Sequence, residues 1–509
     1  MIIQRTRNAI RNMILGILLN VYQMIGSFSI RTVIIIYMGI EYHGLSSLFT
    51  SILGILNLAE LGIGSAMIYS MYKPIAKDDF NKLCAILNLY KKYYTVIGWV
   101  ILILGMVILP FLSYLITGSI PNDINIYFLY ILSLLGTVSS YWLFAYKNSL
   151  LVAYQRLDVQ NIISFFVTTI QYVLQILVIV VFENFYLYAI IGLIVQILNN
   201  IITSIVVSAI FPKCKPNGVI ETEEINKIKC RIKDIFTARL GGVVVNYVDT
   251  VVISAFLGLS MLGIYNNYYY IMKIVITFIS IFFSACVAGI GNSLVADSVE
   301  KNYNDFRVVT FIIRWISGVC ACCLITLYQP FMKYWLGNNY LLDDVCVILF
   351  CIYFYVYVNN NVFTMYKDAA GIWHEDRYRP LIGAGFNLIT NLLFVHNYGI
   401  YAILVSTILC YVCITMPWLI YNLFKVLFKR SCQQYLKQMV RDVVCTILIV
   451  GICIVTTKHI KCDKLDDIFI KGIFCFFISN VCFWWVYHKS EEFKRCMQIK
   501  DQLLYRKGL

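Results

Sequence analysis

The chain has 509 residues, 60% of them apolar and only 13% charged, with a mean hydropathy of +0.77 and a net charge of +14. A soluble domain carries about a quarter charged residues, so this chain cannot cover itself with polar surface and its solvent is partly lipid. Polar segments reach only about 25 residues, too short for a soluble catalytic domain.

A helix needs about 20 apolar residues to cross a hydrocarbon core of about 30 Å. Fourteen runs qualify: 12–38, 44–70, 93–117, 124–146, 160–182, 186–211, 237–257, 265–295, 308–328, 344–366, 380–396, 400–424, 439–457 and 467–488. They are continuous rather than alternating, which argues against a membrane β-barrel. The expected fold is an all-α integral membrane protein. The first run is longer than a signal-peptide core and lacks a small-residue cleavage site, so it reads as a retained span.

In that first span Gly16, Asn20, Gln23, Ser27 and Arg31 recur at steps of four, three, four and four, one side of a 3.6-residue helix. The stripe is either interhelical hydrogen-bond glue or the wall of a hydrated cavity. Ionisable side chains are costly inside a bilayer and usually face the bundle interior. Glu60, in ELGIGSA near the middle of the second span, either neutralises a cation, binds a coupling proton or sodium ion, or caps a Gly-rich kink. Segment 74–90 reads as an interfacial helix capped by Asp78, with Phe80, Leu83, Cys84 and Leu87 on one face.

Lys147 and Arg156 follow the fourth span. Segment 212–236 opens with Pro212, Pro216 and Gly218 and continues as a charged helix. The seventh span carries Arg239, Gly242, Asn246, Asp249 and Thr250 on one broad face, and the eighth carries Lys273 beneath YNNYYY (265–270). Lys273 either shares the level of Arg31 and Asp249 or snorkels outward. Asn359, Asn360 and Asn361 lie in the tenth span, with Lys367, Arg377 and Arg379 after it. With Lys147 these form either an anion-attracting entry or simple topology signals. The 18 cysteines lie mostly inside spans, where cysteine behaves as a small hydrophobe; they imply no metal site, and no cofactor is expected beyond a coupling ion.

With the N-terminus inside, the inner segments and their edges hold 33 of the 41 Lys and Arg and the outer loops hold four. The positive-inside rule then puts both termini in the cytoplasm. Basicity distributed this way is topological and gives no reason to expect nucleic acid.

The chain also repeats itself. RTVIIIYMGIEYHGL (31–45) matches DTVVISAFLGLSMLGI (249–264), with Gly39 and Gly44 answering Gly258 and Gly263 at an offset of 219; YKN (146–148) answers YKD (366–368) at 220. Both offsets span six helices, so two six-helix lobes are expected, 1–215 and 216–437, with the last two spans appended in 438–509. An even number of helices per lobe makes the repeats parallel. By this repeat Asp249 takes the place of Arg31, and a pair between them would hold an outer gate.

Four segments carry a family resemblance: RTVIIIYMGIEYHGLSSLF (31–49), AELGIGSAMIYSMYKPIAKDD (59–79), GIYNNYYYI (263–271) and YKDAAGIWHEDRYRPLIGAGFNLITN (366–391). Through them the chain resembles bacterial polysaccharide flippases, the Wzx-type O-antigen and capsule repeat-unit transporters of the multidrug/oligosaccharidyl-lipid/polysaccharide exporter superfamily. The resemblance implies a transporter rather than an enzyme, moving an undecaprenyl-diphosphate-linked oligosaccharide to the outer leaflet of the bacterial plasma membrane by alternating access. It implies membrane lipids and other polysaccharide-assembly membrane proteins as partners, and puts Arg31, Glu60 and Asp249 in the cavity. A small-molecule antiporter, a lipid II flippase and a membrane-embedded polymerase or acyltransferase are the competing readings.

Overall fold

The computed structural model describes residues 5–460, 462 and 464–506; the side chains of residues 5–10, 238, 239, 244, 246, 282, 284, 285, 288, 499, 500 and 502–506 lie outside the description. All regular structure among the described residues is helical. In chain order it comprises α1 (Arg5–Tyr37), α2 (Ile40–Leu56), a 3-10 turn (Asn57–Glu60), α3 (Ile63–Ala76), α4 (Phe80–Ile108), α5 (Ile126–Trp142), α6 (Asn148–Ala153), α7 (Leu157–Phe182) and α8 (Phe185–Ile210). Then come α9 (Thr222–Ala296), α10 (Val299–Leu336), α11 (Asp344–Ala370), α12 (Arg379–Tyr398), α13 (Ile400–Leu409), α14 (Met416–Asn422), α15 (Gln433–Thr457), α16 (Leu465–Tyr487) and α17 (Glu491–Arg506).

Among the described residues ten helices are long and apolar enough to cross a bilayer, or twelve if α2–α3 and α5–α6, bent by 41° and 48°, each count as one span. α9, counted once among these, contains two of the expected spans in one run, because its backbone turns at Gly258 (φ 88°, ψ 174°). α12 falls short on hydropathy, diluted by Arg379, Asn387, Asn391, His396 and Asn397, yet its 20 residues occupy the eleventh expected run. Each of the fourteen expected spans is therefore helical, six in each repeat and two appended.

One boundary differs from the sequence reading. Asp79, not Asp78, caps the helix that follows, accepting a hydrogen bond from the Lys82 N–H at 3.0 Å. Asp78 adopts φ 53° in the turn before it. The amphipathic segment is no separate interfacial helix but the first turns of α4, which run straight into the third span.

Two compact units divide between Gly263 and Ile264. In the first, α1 packs on α7 at close range: a Cβ on Gly16 or Gly26 would meet Asn161 or the Tyr172 ring, and Tyr22 donates to Thr169 at 2.7 Å. The N-terminal part of α9 lies along α2 and α3, with Gly54 against the Tyr247 ring and Gly62 against Ile235 and the Ile232 carbonyl. This close approach is why the seventh span clusters with the first six.

In the second unit, α15 and α16 pack on α10 through Phe311, Val319, Cys322, Ile449, Cys453, Cys475, Phe483 and Tyr487. Gly318 lets the Phe483 ring approach the α10 backbone. A buried polar centre sits beside this apolar layer. Arg314 Nη1 meets Asp442 Oδ2 at 2.5 Å, Arg314 Nη2 donates to Tyr435 Oη at 2.9 Å, and Tyr487 donates to Asp442 Oδ1 at 3.0 Å. Burying two charges is repaid only when geometry is good and their remaining valences are filled, and the two tyrosines do the filling. The appended helices are thus bolted to the ninth span.

Candidate functional site

The two repeat-related corners, after the first and seventh spans, meet each other. Gly39 (φ 115°) and Gly258 (φ 88°) both take conformations that L side chains resist, so each corner turns at the same repeat position. A Cβ on Gly44 would run into the Leu259 carbonyl oxygen, and one on Gly263 would lie 2.6 Å from the Ile40 carbonyl oxygen. Ile40 and Leu259 are themselves 219 residues apart, as are Gly44 and Gly263, so the contact is reciprocal. On its local axis Ser260 donates to Glu41, also a repeat-related pair. Thr117, between the third and fourth spans, braces the corner by donating its N–H to the Ser254 carbonyl at 3.0 Å and its hydroxyl to the Ala255 carbonyl at 2.5 Å. Side chains larger than hydrogen at positions 44 and 263 would hold the corners apart. The repeat offset was enough to pair Glu41 with Ser260, but not to show that the pair touches.

Within α2–α3, Glu60 lies at the break, where Gly62 adopts φ 89°. Twenty residues separate it from Ile40 and sixteen from Ala76, so it stands near the middle of the span. Tyr94 donates to Glu60 Oε1 at 2.5 Å and itself accepts from Tyr90 at 2.8 Å. Tyr141 Oη is 2.8 Å from Glu60 Oε2 and 3.0 Å from Asn57 Oδ1. Among the described residues no basic side chain makes an ion pair with Glu60. Sequence reasoning found the acid but not the phenols: Tyr90 and Tyr94 share a face of α4, and Tyr141 comes from α5, 81 residues away.

Of the remaining candidates, Asn20 is exposed, Gln23, Ser27 and Arg31 are half-buried, Asp249 is buried and Lys273 is exposed. Gly16 faces α7, so one end of the polar stripe is used for helix packing. Arg31 acts electrostatically on His43 and Tyr188, which places it among α1, α2 and α8. The side chains of Asn246 and Arg239 fall outside the described residues.

The entry cations separate into two kinds. Lys147 Nζ lies 2.8 Å from both Ser204 Oγ and Ser208 Oγ on α8, and faces the Phe144 ring. Its repeat counterpart Lys367 is neutralised by Asp368 at 2.7 Å and by buried Asp376 at 3.3 Å. Arg379 grips the same Asp376 with two hydrogen bonds, at 2.6 and 2.9 Å. Arg377 is exposed and stacks on Tyr378. The hydroxyl partners of Lys147 leave its ammonium without a counter-charge, whereas two carboxylates already face that of Lys367.

No protein-family model and no curated protein matches the chain. Solved structures do. The lipid II flippase MurJ, in an inward closed conformation, matches 94% of this chain and 100% of its own, with a TM-score of 0.67 at 15% identity. An inward-facing multidrug resistance MATE family transporter of the MOP superfamily covers 79% of this chain and 95% of its own, at TM-score 0.58 and 15% identity. A point mutant of the Vibrio cholerae MATE transporter VcmN covers 82% and 96%, at 0.56 and 13%. The chain shares the fold of these three proteins: all-α, with two repeat-related sets of six membrane-spanning helices and two further C-terminal helices.

Proposed function

We propose that this chain is a flippase that carries an undecaprenyl-diphosphate-linked oligosaccharide from the cytoplasmic to the outer leaflet of the bacterial plasma membrane, by alternating access and without chemistry on its cargo. One observation carries the choice within the superfamily. The likeness to a lipid flippase runs over 94% of the chain and the whole of that protein, whereas the MATE transporters leave about a fifth of this chain unmatched. The last two helices belong to the common plan of the first comparison, and here they are fixed to the ninth span by Arg314 and Asp442.

With both termini in the cytoplasm, as the distribution of Lys and Arg favours, the Gly44–Gly263 corner lies at the outer face. Lys147 then stands at the cytoplasmic end with hydroxyl neighbours, suited to a diphosphate. Arg31 and Asp249, on the expected outer halves of the first and seventh spans, are the residues we expect the cargo to meet next, with other polysaccharide-assembly membrane proteins receiving it. A small-molecule antiporter is the second reading, supported by the MATE likeness.

The test is genetic and chemical together. In a strain lacking this chain, lipid-linked oligosaccharide should accumulate in the cytoplasmic leaflet and return to normal on complementation. Unchanged oligosaccharide turnover with altered sensitivity to small toxic cations would favour the antiporter.

A further inference from the structure

The break of the fourth span brings two lysines together. α5 ends at Trp142, and the chain leaves the helix with Phe144 at φ 62°, a conformation uncommon outside glycine, before it enters α6. The break is held to α4: Trp142 Nε1 donates to the Thr95 carbonyl at 3.3 Å, and the Thr95 hydroxyl donates to the Lys91 carbonyl at 3.0 Å. Lys91 therefore lies one helical turn before the contact with Trp142, and Lys147 follows Trp142 by five residues. Burial, and then the charge of nearby Lys91, lower the pKa of the Lys147 ammonium. A lysine at the end of a span ordinarily stretches toward water. Lys147 instead lies 2.8 Å from both Ser204 Oγ and Ser208 Oγ, and 5.1 Å from the centre of the Phe144 ring.

The donors at this point outnumber their acceptors. An ammonium has three N–H groups, and two of those on Lys147 go to the serine hydroxyls. The Ser208 hydrogen goes to the Ser204 carbonyl at 2.7 Å, while the Ser204 hydroxyl hydrogen meets no acceptor among the described residues. One N–H, one O–H and the second ammonium of exposed Lys91 remain for a ligand. Neighbouring ammonium groups repel, and a multiply charged anion between them removes that cost. Trp99 and Trp142, both exposed with ring centroids 4.8 Å apart, add with exposed Phe144 an aromatic edge of the kind that sits at a lipid–water boundary. The charged group of the ligand thus belongs at the bilayer surface, with its apolar part left in lipid.

We propose that Lys91 and Lys147, with the Ser204 hydroxyl, form a site that takes the diphosphate of a lipid at the membrane surface, and that Lys91 distinguishes this lipid from one carrying a single phosphate. The identity of the lipid rests on the flippase reading, and its leaflet on both termini being cytoplasmic. A single phosphate is satisfied by Lys147 and Ser204; the second phosphate is what engages Lys91. A transporter of loaded carrier gains from this distinction, because it leaves behind the same prenyl chain with one phosphate.

The test is binding of undecaprenyl diphosphate and undecaprenyl phosphate to the purified full-length protein, titrated by native mass spectrometry. The unaltered protein should prefer the diphosphate. Lys91→Gln, at an exposed position where folding is little affected, should weaken the diphosphate about tenfold, the worth of one charge-assisted hydrogen bond. It should leave the monophosphate nearly unchanged. Lys147→Gln should weaken both lipids, and Lys91→Arg should keep the preference. Equal loss of both lipids in Lys91→Gln, or no loss of either, would overturn the proposal. So would displacement of undecaprenyl diphosphate by equimolar phosphatidylglycerol or by inorganic diphosphate, which would mark a general anion site. Binding is read apart from transport. A protein that binds in the expected way, while oligosaccharide in the deletion strain stays normal, would sink the flippase reading and leave the site standing.

Discussion

The two six-helix repeats share a plan and differ in where it is broken. In the first copy the second and fourth spans are interrupted, at Glu60–Gly62 and at Leu143–Ala145; in the second, the eighth and tenth spans run unbroken through the corresponding positions. The side chains follow the same division. Asn57 and Glu60 are answered 219 residues later by Ile276 and Ile279, and hydroxyl-bound Lys147 by carboxylate-bound Lys367. The first copy holds polar groups at helix breaks, with backbone and charge not fully committed. The second copy pairs Lys367 and Arg379 with its own Asp376, and Arg307 and Arg314 with carboxylates of the appended helices. The copies share a symmetric plan, and the polar residues are divided unequally between them.

The largest expected effect tests whether the second copy is the rigid one. Asp442→Ala leaves Arg314 buried without its carboxylate, and breaking such a pair costs roughly 3–5 kcal/mol. Thermal unfolding of the purified protein should show the loss. Arg314→Met with Asp442→Leu should recover most of it, because an apolar pair of similar volume avoids the desolvation. If the double variant is no better than the single one, the pair is needed for more than packing.

A smaller effect concerns α17, which docks through Glu492. Burial would raise this carboxyl's pKa, but hydrogen bonds from its own backbone N–H and Gln438, with Arg307 at 2.6 Å, hold it below the ordinary carboxylate range. A depressed value means that the ionised form stabilises the docked helix. That contribution is present above the ordinary range and lost as pH falls through the lowered value. Hydrogen exchange of α17 should accelerate in that acid window. Glu492→Gln should show fast exchange at every pH, at a cost of about 1.5–3 kcal/mol for the charge-assisted bonds.

Next comes the region where the copies are most alike. Gly44→Ala and Gly263→Ala each push a methyl group onto the opposite corner's backbone, and overpacking of this kind costs roughly 1–3 kcal/mol. Since the contacts are reciprocal, both should open the corner in the same sense and by similar amounts. They share one contact, so their effects should combine non-additively. Spin-label distances between positions 38 and 257 would read this. A one-sided result would mean that the symmetry of the corner is geometric only.

Much of this plan was legible in the sequence, for identifiable reasons. Hydropathy locates spans because a bilayer demands a fixed apolar length, and the equal offsets of Gly39–Gly258 and Gly44–Gly263 located the corner. What escaped was set by long-range packing. Arg314 is a cation inside the ninth span whose partner Asp442 lies 128 residues away, beyond the reach of any local pattern. Glu60 was visible as an intramembrane acid, but the phenols around it were not. Asp78 and Asp79 are adjacent and equally able to cap; only the turn at Asp78 decides between them.

The smallest expected effect on stability is that of Lys147→Ala, best measured beside its counterpart at Lys367. Lys367→Ala would leave buried Asp376 with Arg379 alone, and weakening a charge-assisted network costs roughly 1.5–3 kcal/mol. Lys147→Ala removes two serine contacts and a partly exposed charge, with at most about 1 kcal/mol lost. Transport should rank the other way. A diphosphate can compete with serine hydroxyls for Lys147 at little cost, whereas at Lys367 it must displace two carboxylates already in place. Lys147→Ala should therefore lower export several-fold with near-normal melting, and Lys147→Arg should retain part of it because the charge remains while the hydroxyl geometry changes. Lys367→Ala, corrected for the amount of folded protein, should transport nearly as well as the unaltered chain. Equal export defects per folded molecule in both variants would mean that the second copy's lysine also meets the cargo, and the division of labour between the copies would have to be redrawn.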